Sequence, residues 1–577
     1  LRDKSLATMD ETTFRTALEP KVKGSVVLHH LVKEENLDFI MFFSSIQTFM
    51  GNPGQSNYGA ACAFKDAYAH YLDANKNCPV YTINWGYWGS VGIVAQKSYQ
   101  QRLAKQGIYS IEPEEGMEVI RRLLASPSHQ VIAMKTDRAF QDSLGVDHQY
   151  QVEYLPESKS ILSLGETLAK TLTKTNLIPA EVLQFRQALT QLEQWGSRFL
   201  LHVIQEMGEL DPETLGILPQ YSRLYGCVVD ILTRSGFTDS DSQGKISLRK
   251  DYSQQINLND IETEKQQLLS IYPALKSHII LLEKCLHNFA KILTGKCLAT
   301  AIMFPNSSMT LVEGIYKGQP IANYFNQLVA ESLVVYIQTR LQQRKDNEKI
   351  TILEIGAGTG GTTTTVLEAI APYGHLIQYI YTDISLAFVN YGREQFSTRY
   401  PFTEFRVLNV EKEVSDQGFK AGEVDVVLAT NVLHATQNMR RTLAHAKVLL
   451  KKNGWLILNE ATEVQDFATL TFGLLSGWWL YEDETFRLPG APLISLNMWK
   501  NLLAKEGFSH FICLPEEEDF ANLRQHIIIA EGNGLIKQKI SDNVGKNNEL
   551  KLTPMSNLDR KSTRLNSSHL VISYAVF

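Results

Sequence analysis

The stretch from Lys349 to Asp383 constrains this chain most. It reads KITILEIGAGTGG, a threonine-rich helical run, then LIQYIYTD: an apolar strand, a glycine turn, a helix and a second strand closed by an acid. That succession is half of a nucleotide-type βαβ unit. The turn Gly356-Ala357-Gly358-Thr359-Gly360 is too short to cradle a triphosphate and lacks the required Lys, which excludes a P-loop. Glu354 ends the first strand, where its carboxylate can meet a cationic ligand or a backbone amide. Asp383 ends the second, where it can accept both ribose hydroxyls of a nucleoside.

Further strands fall at FTEFRVLNV, VDVVLATN, GWLILNE and RQHIIIAEG, with helices between them. This is an α/β pattern, which places ligands at the carboxyl ends of the strands. The remaining candidates sit at those ends: Asn409 on the third, Asn431 and His434 on the fourth, Glu460 on the fifth. Apolar residues recur at three and four through about 160–335, so a helical segment precedes the glycine turn and reads as a lid that excludes water. Tyr316 and Tyr324 are candidates to line the cleft beneath it, and Trp478, Trp479 and Arg487 to shape a substrate pocket.

The motifs ILEIGAGTGGTT, YTDIS, NVLHAT, GWLILNE, TFGLLSGWW and a late GF, in that order, resemble the C-methyltransferase domain of polyketide synthases, a class I S-adenosylmethionine-dependent methyltransferase. The resemblance implies that Glu354, Gly356, Gly358 and Gly360 hold the methionine end of the cofactor and Asp383 its ribose. Asn409 stands where the family has an Asp near the adenine amine, and Asn431 joins the cofactor set. Carbon methylation of a β-ketoacyl thioester requires removal of the α-proton, which a neutral imidazole oriented by a carboxylate can perform. The resemblance assigns His434 and Glu460 to that dyad. Methylation of an oxygen or nitrogen of a free small molecule is the alternative; it would need no ketoreductase upstream and could work by proximity without a base.

The first part of the chain offers a second chemistry. The strand LDFIMFFSS ends on Ser45, the helical run YGAACAFKDAYAHYLDA opens on Tyr58, and Lys21 lies between two helical stretches, 11–20 and one through His30. Ketone reduction needs a proton donor, a hydroxyl to hold the carbonyl oxygen and a cation to lower the donor's pKa. The runs PKVKG, FFSS, GNPGQSNYGAA and NWGYWG resemble the C-terminal half of a modular polyketide synthase ketoreductase, a Rossmann-type short-chain dehydrogenase. That implies Tyr58 as donor, Ser45 as carbonyl holder, Lys21 as the perturbing cation and NADPH as reductant. Cys62 replaces the Asn that completes the family's proton relay, so the relay is rearranged or weakened. Asp3 and Met50 match the type that yields the D-configured alcohol.

The expected organisation is a partial ketoreductase over 1–137, a polar linker over 138–158, a helical lid over 159–335, a methyltransferase core over 336–532, and a linker with tail over 533–577. The stretch RKSTRLNSSHLVISYAVF resembles a foreign peptide translated from adapter or vector sequence and is expected to lie outside the fold. The chain opens on Leu1 within sequence that already reads as folded, so a longer protein is expected, with the NADPH turn upstream and an acyl carrier domain downstream. Its partners are then a phosphopantetheine-bound β-ketoacyl chain on that carrier and the neighbouring synthase domains. A formal charge of -6 over 577 residues gives no basic field for nucleic acid. No apolar run reaches the roughly 20 residues of a membrane helix. Six scattered cysteines show no metal or disulfide spacing, which fits a cytoplasmic protein without a metal. The first part acting only as scaffold is the non-catalytic alternative.

Overall fold

The computed structural model describes residues 4–75, 78–91, 97–124, 129–145, 150–155, 160, 178–208, 210–240, 246–249, 256–343, 348–515, 523–539 and 570–573. Two compact units divide it, Leu1–Val152 with Lys539–Phe577, and Glu153–Gln538.

In the first unit the helix α1 (Glu11–Leu31) is one element, where sequence suggested two pieces broken at Pro20. Asp10 caps it by accepting the Thr13 amide at 2.7 Å, and Pro20 sits inside it. The strands β1 (Ile40–Ser45), β2 (Val80–Trp85) and β3 (Gln130–Thr136) run parallel in that order, with Ile40 opposite Val80 and Thr82 opposite Gln130. Helix α2 (Ser56–Asn75) packs on β1 and β2. Two expectations are corrected here. Leu570–Ser573, expected to have no partner, pairs antiparallel with β3, from Leu570 opposite Lys135 to Ser573 opposite Ile132. An edge strand offers free amides and carbonyls to any β-prone segment, and LVIS is one. The polar connector also carries structure. Asp137 caps the helix α3 (Arg138–Ser143), Tyr150–Tyr154 is a strand, and so is Leu535–Lys539, a stretch expected to be linker.

The second unit is built on a seven-stranded sheet. Its strands are β4 (Ile350–Ile355), β5 (Ile377–Asp383), β6 (Thr403–Val407), β7 (Val424–Thr430), β8 (Leu450–Ala461), β9 (Phe508–Leu514) and β10 (Gln525–Gly532). They lie in the order β6-β5-β4-β7-β8-β10-β9, and β10 runs antiparallel to both neighbours. The order reverses between β4 and β7, which is where open α/β sheets bind ligands. Strand β9 was not apparent from sequence. Its pairing with β10 slips between Ser509 and Ile512, and His510 adopts φ +53°, so the period-two pattern is broken by a bulge.

One sheet face is covered by the helices before the glycine turn, among them α4 (Ala180–Met207), α5 (Ser222–Arg234), α6 (Lys276–His287), α7 (Thr310–Tyr316) and α8 (Pro320–Gln343). Phe199, Leu282 and Tyr336 of this set belong to the same buried cluster as Ile352, Tyr379 and Trp455 of the sheet. The expected separation of lid and core at 335 therefore falls inside α8, and the two share one hydrophobic interior. A second buried cluster fills the other face, where α9 (Met439–Leu449) and α10 (Leu496–Lys505) contribute Leu443 and Trp499. Among the described residues no helix is long and apolar enough to cross a membrane.

Candidate active site

Strand β4 delivers Glu354 to the switch point with 2% of its surface exposed. Its Oε2 accepts from the Thr363 hydroxyl at 2.6 Å and the Tyr379 hydroxyl at 2.7 Å. Neither partner is a cation or a backbone amide. Burial pushes this carboxyl up to about 7, the two hydroxyls oppose that, and the nearby Asp383 adds to it. Gly356, Gly358 and Gly360 have φ of +64°, +56° and +71°, a region that suits glycine. A Cβ on Gly356 would strike Val432 at 2.3 Å and one on Gly360 would strike the Phe396 ring at 2.7 Å. A Cβ on Gly358 would meet nothing within 4 Å. The middle glycine thus faces a cradle of open space.

Asp383 closes that cradle. Its Oδ2 accepts the Gly358 amide at 3.0 Å and its Oδ1 the Ser385 amide at 2.8 Å. Burial raises its carboxyl above the usual range while these amides hold it down. Each oxygen keeps a further lone pair for a ligand hydroxyl. The Tyr381 hydroxyl donates to the Gly358 carbonyl at 2.7 Å, and Ile384, next to Asp383, is 63% exposed. Asn409 is half-buried, and its Oδ1 accepts the Glu411 amide at 2.9 Å, with one lone pair left. Sequence reading missed Thr363, Tyr379 and Tyr381. The Tyr-Ile-Tyr alternation on β5, which turns both hydroxyls to one face, was the available signal.

At the ends of β7 and β8 the acid and the imidazole meet. His434 Nδ1 lies 2.5 Å from Glu460 Oε2. Glu460 is fully buried, and its Oε1 accepts the amides of Leu433 at 3.0 Å and Val432 at 3.2 Å. Asn431 adopts φ +48°, its amide donates to the Asn459 carbonyl at 2.7 Å, and its Oδ1 accepts the Ala461 amide at 3.1 Å. It therefore fastens the end of β7 to β8. Backbone held in this left-handed region by a non-glycine residue stores strain of a kind found at functional sites.

Tyr316 is 38% exposed, yet its hydroxyl is buried and pushed up to about 12, by burial first and then by the charge of Glu460. Its ring is tilted by 42° to that of Phe472, 6.1 Å away between centres, and Phe472 is stacked near-parallel with Trp478 at 6.5 Å. Tyr324, by contrast, packs edge-on against the buried Phe325. Arg487 does not line a pocket. Its side chain is 1% exposed and bonds to Asp483, to the backbone carbonyls of His434 and Thr436, and to that of Pro492. Trp479 donates to the Gly473 carbonyl at 2.8 Å and packs against the core. Among the described residues no group of His, Cys, Asp and Glu could hold a metal ion.

In the first unit Lys21 Nζ lies 4.6 Å from the centre of the Tyr58 ring. Tyr58 is in the first turn of α2, which abuts the turn after Ser45, where a Cβ on Gly59 would meet the Gln47 carbonyl at 3.4 Å. Ser45 Oγ accepts the Gln47 amide at 3.3 Å, and Asn84 donates to the Ser45 carbonyl at 3.2 Å. Cys62 is fully buried. Burial pushes its thiol up, while Lys21, Lys65 and a hydrogen bond with Tyr58 pull it down. The thiol thus lies beside the tyrosine.

Two family models match the chain, the KR domain over residues 1–90 and a methyltransferase domain over 353–456. Polyketide synthase PksM of Bacillus subtilis is 36% identical over 94% of this chain, and polyketide synthase ThaG of Burkholderia thailandensis is 32% identical over 93% of it. The matches cover only 13% and 9% of those two proteins. Among solved structures, the DszA carbon methyltransferase superposes with a TM-score of 0.61 at 38% identity, over 66% of this chain and 99% of that one. The CurJ carbon methyltransferase gives 0.58 at 31% identity, over 65% of this chain and 99% of that one. Both family models, the long matches to two synthases and the near-complete coverage of two methyltransferases agree with the site geometry above: the chain belongs to the polyketide synthases and carries a ketoreductase portion followed by a carbon methyltransferase domain.

Proposed function

We propose that the second unit methylates the α-carbon of a carrier-bound β-ketoacyl thioester, with His434 as general base. The observation that carries this reading is the 2.5 Å contact of His434 Nδ1 with the fully buried Glu460. With Nδ1–H donated to the carboxylate, Nε2 holds the lone pair that accepts a proton. Glu460 also holds the two amides before the histidine, so it fixes the ring and its backbone together. The α-carbon between two carbonyls is acidic enough for an imidazole to deprotonate, and the carboxylate stabilises the imidazolium that forms.

The residues at the switch point fit S-adenosylmethionine. Gly358 leaves a cradle with no protein atom in it, Glu354 is a buried acid with no cationic partner among its hydrogen bonds, and Asp383 has acceptor capacity for ribose hydroxyls. Asn409 and the exposed Ile384 would border the adenine, and Asn431 the methionine side. When bound, this cofactor supplies an electrophilic methyl group. The half-exposed Tyr316 and the stacked Phe472 and Trp478 offer the acyl chain an apolar wall. A base poised in the site suits carbon, which has no lone pair to attack with until its proton is removed, whereas an oxygen or nitrogen nucleophile can react by proximity.

Relatives of the chain are multidomain synthases, so neighbouring synthase domains are its setting. We assign it further a phosphopantetheine-bearing acyl carrier protein as partner, and a reducing cytoplasm. All six cysteines are described and none is in a disulfide. For the first unit, Tyr58 is read as proton donor, Ser45 as carbonyl holder and Lys21 as the cation beside the phenol, working with NADPH in the whole synthase. The test is product structure. The protein, S-adenosylmethionine bearing a carbon-13 methyl group and a carrier-bound acetoacetyl thioester should yield label on the α-carbon, read by fragmentation mass spectrometry. Label on an oxygen, or methylation only of free hydroxyl or amine compounds, would overturn the reading.

A further inference from the structure

The dyad explains how the ring of His434 is held, but not what holds the turn that carries it. His434 lies in the single turn Leu433–Ala435 directly after β7. Its Leu433 carbonyl accepts the Thr436 amide at 3.0 Å and hydroxyl at 2.8 Å, whereas the carbonyls of His434 and Thr436, past the end of so short a turn, need donors from elsewhere. Arg487 supplies them from a distant loop. Its Nη1 donates to the His434 carbonyl at 2.7 Å and the Pro492 carbonyl at 2.8 Å, and its Nη2 donates to the Thr436 carbonyl at 2.9 Å. Its Nε donates to Asp483 Oδ1 at 2.6 Å. Asp483 uses its other oxygen, Oδ2, to accept the Met439 amide at 2.6 Å, at the start of α9. The pair therefore bridges the histidine's turn, the helix that follows it and the 483–492 loop.

Burial makes this arrangement selective. The Arg487 and Asp483 side chains are 1% and 6% exposed, so each charge depends on the other. As a pair they bring no net charge beside an imidazole that must become a cation. The flat guanidinium reaches carbonyls two residues apart and a third across the loop, a fork that a lysine ammonium cannot reproduce. Glu460 grips the turn by its amides and Arg487 grips it by its carbonyls, so the histidine is held from both sides.

We propose that Asp483 and Arg487 are positioning residues for proton abstraction, acting through the backbone of His434. This rests on the reading of His434 as the base. The experiment isolates the proton step by measuring deuterium exchange at the α-carbon of an acetoacetyl thioester of N-acetylcysteamine, without cofactor and above the uncatalysed rate. On the full chain, Arg487→Lys should lower catalysed exchange about 10- to 100-fold, the scale of a misplaced group. S-adenosylmethionine affinity by calorimetry should stay within about twofold, because the cradle at Gly358 and Asp383 is untouched. A merely structural role would lower folded protein and cofactor sites together. If Arg487→Lys melts below the assay temperature, the near-isosteric Asp483→Asn is read in its place, with the same expectation. His434→Ala is the control. If it abolishes exchange while the Arg487 or Asp483 variant exchanges normally, the positioning proposal alone is overturned. If His434→Ala still exchanges, the base reading falls and this proposal falls with it.

Discussion

At Glu354, burial pushes the carboxyl from an ordinary 4.5 up to about 7, and the two hydroxyls on Oε2 do not offset it. The folded-state pKa is the raised one. The stability linked to it is full below about pH 4.5 and is lost as pH rises through 7. Glu354→Gln should therefore raise the melting temperature relative to the parent at about pH 8, with the difference gone near pH 4, in the absence of cofactor. The same variant should weaken S-adenosylmethionine binding, since it removes a buried acid at the switch point whose hydrogen bonds include no cation. Equal stabilisation at both pH values would show that the carboxyl is not titrating in this range. Glu354 was legible as a site residue because an acid directly before a glycine turn has few structural uses. His434 and Glu460 were legible as strand-end residues. Arg487 was read as a pocket residue and not as a support for the histidine, because the carbonyls of His434 and Thr436 that it holds lie more than fifty positions away in the chain, and carbonyls carry no sequence signature.

The glycine turn separates two roles that sequence alone gave equally to all three glycines. Gly360→Ala places a Cβ 2.7 Å from the Phe396 ring and should destabilise the unit by about 1–3 kcal/mol, the scale of overpacking. Gly358→Ala meets no protein atom and carries only the penalty of its positive φ, so its main effect should fall on cofactor affinity. Thermal melts with and without S-adenosylmethionine distinguish the two. If Gly358→Ala melts as low as Gly360→Ala and binds cofactor as well as the parent does, the cradle is misplaced. Six strands of the sheet were readable from apolar runs bounded by turns, whereas β9 was hidden by its bulge at Ser509–Ile512. Helix α1 was read as two because proline usually ends a helix, yet the chain continues through Pro20.

The second unit gives the molecule its catalytic frame because its helices and its sheet share one interior. Tyr336 of α8 is fully buried, its ring centre is 4.8 Å from that of Trp455 on β8, and its hydroxyl reaches the Asp425 carbonyl at 3.4 Å. Tyr336→Ala should cost about 3–5 kcal/mol, the scale of removing a large buried aromatic, and the second unit, 153–538, should still melt in one transition by calorimetry. Separate transitions for the helices and the sheet would restore the idea of an independent lid. Sequence could not settle this, because amphipathic spacing shows that a helix buries a face but not what covers it. The account depends above all on the base. The most direct test compares His434→Ala with the parent protein for methylated product on a carrier-bound β-ketoacyl substrate, by mass, and for S-adenosylmethionine affinity, by calorimetry on the same preparations. The predicted result is a loss of turnover of about 100- to 10,000-fold, the range of general base catalysis, with affinity within about twofold. Near-parent turnover with intact affinity would contradict it.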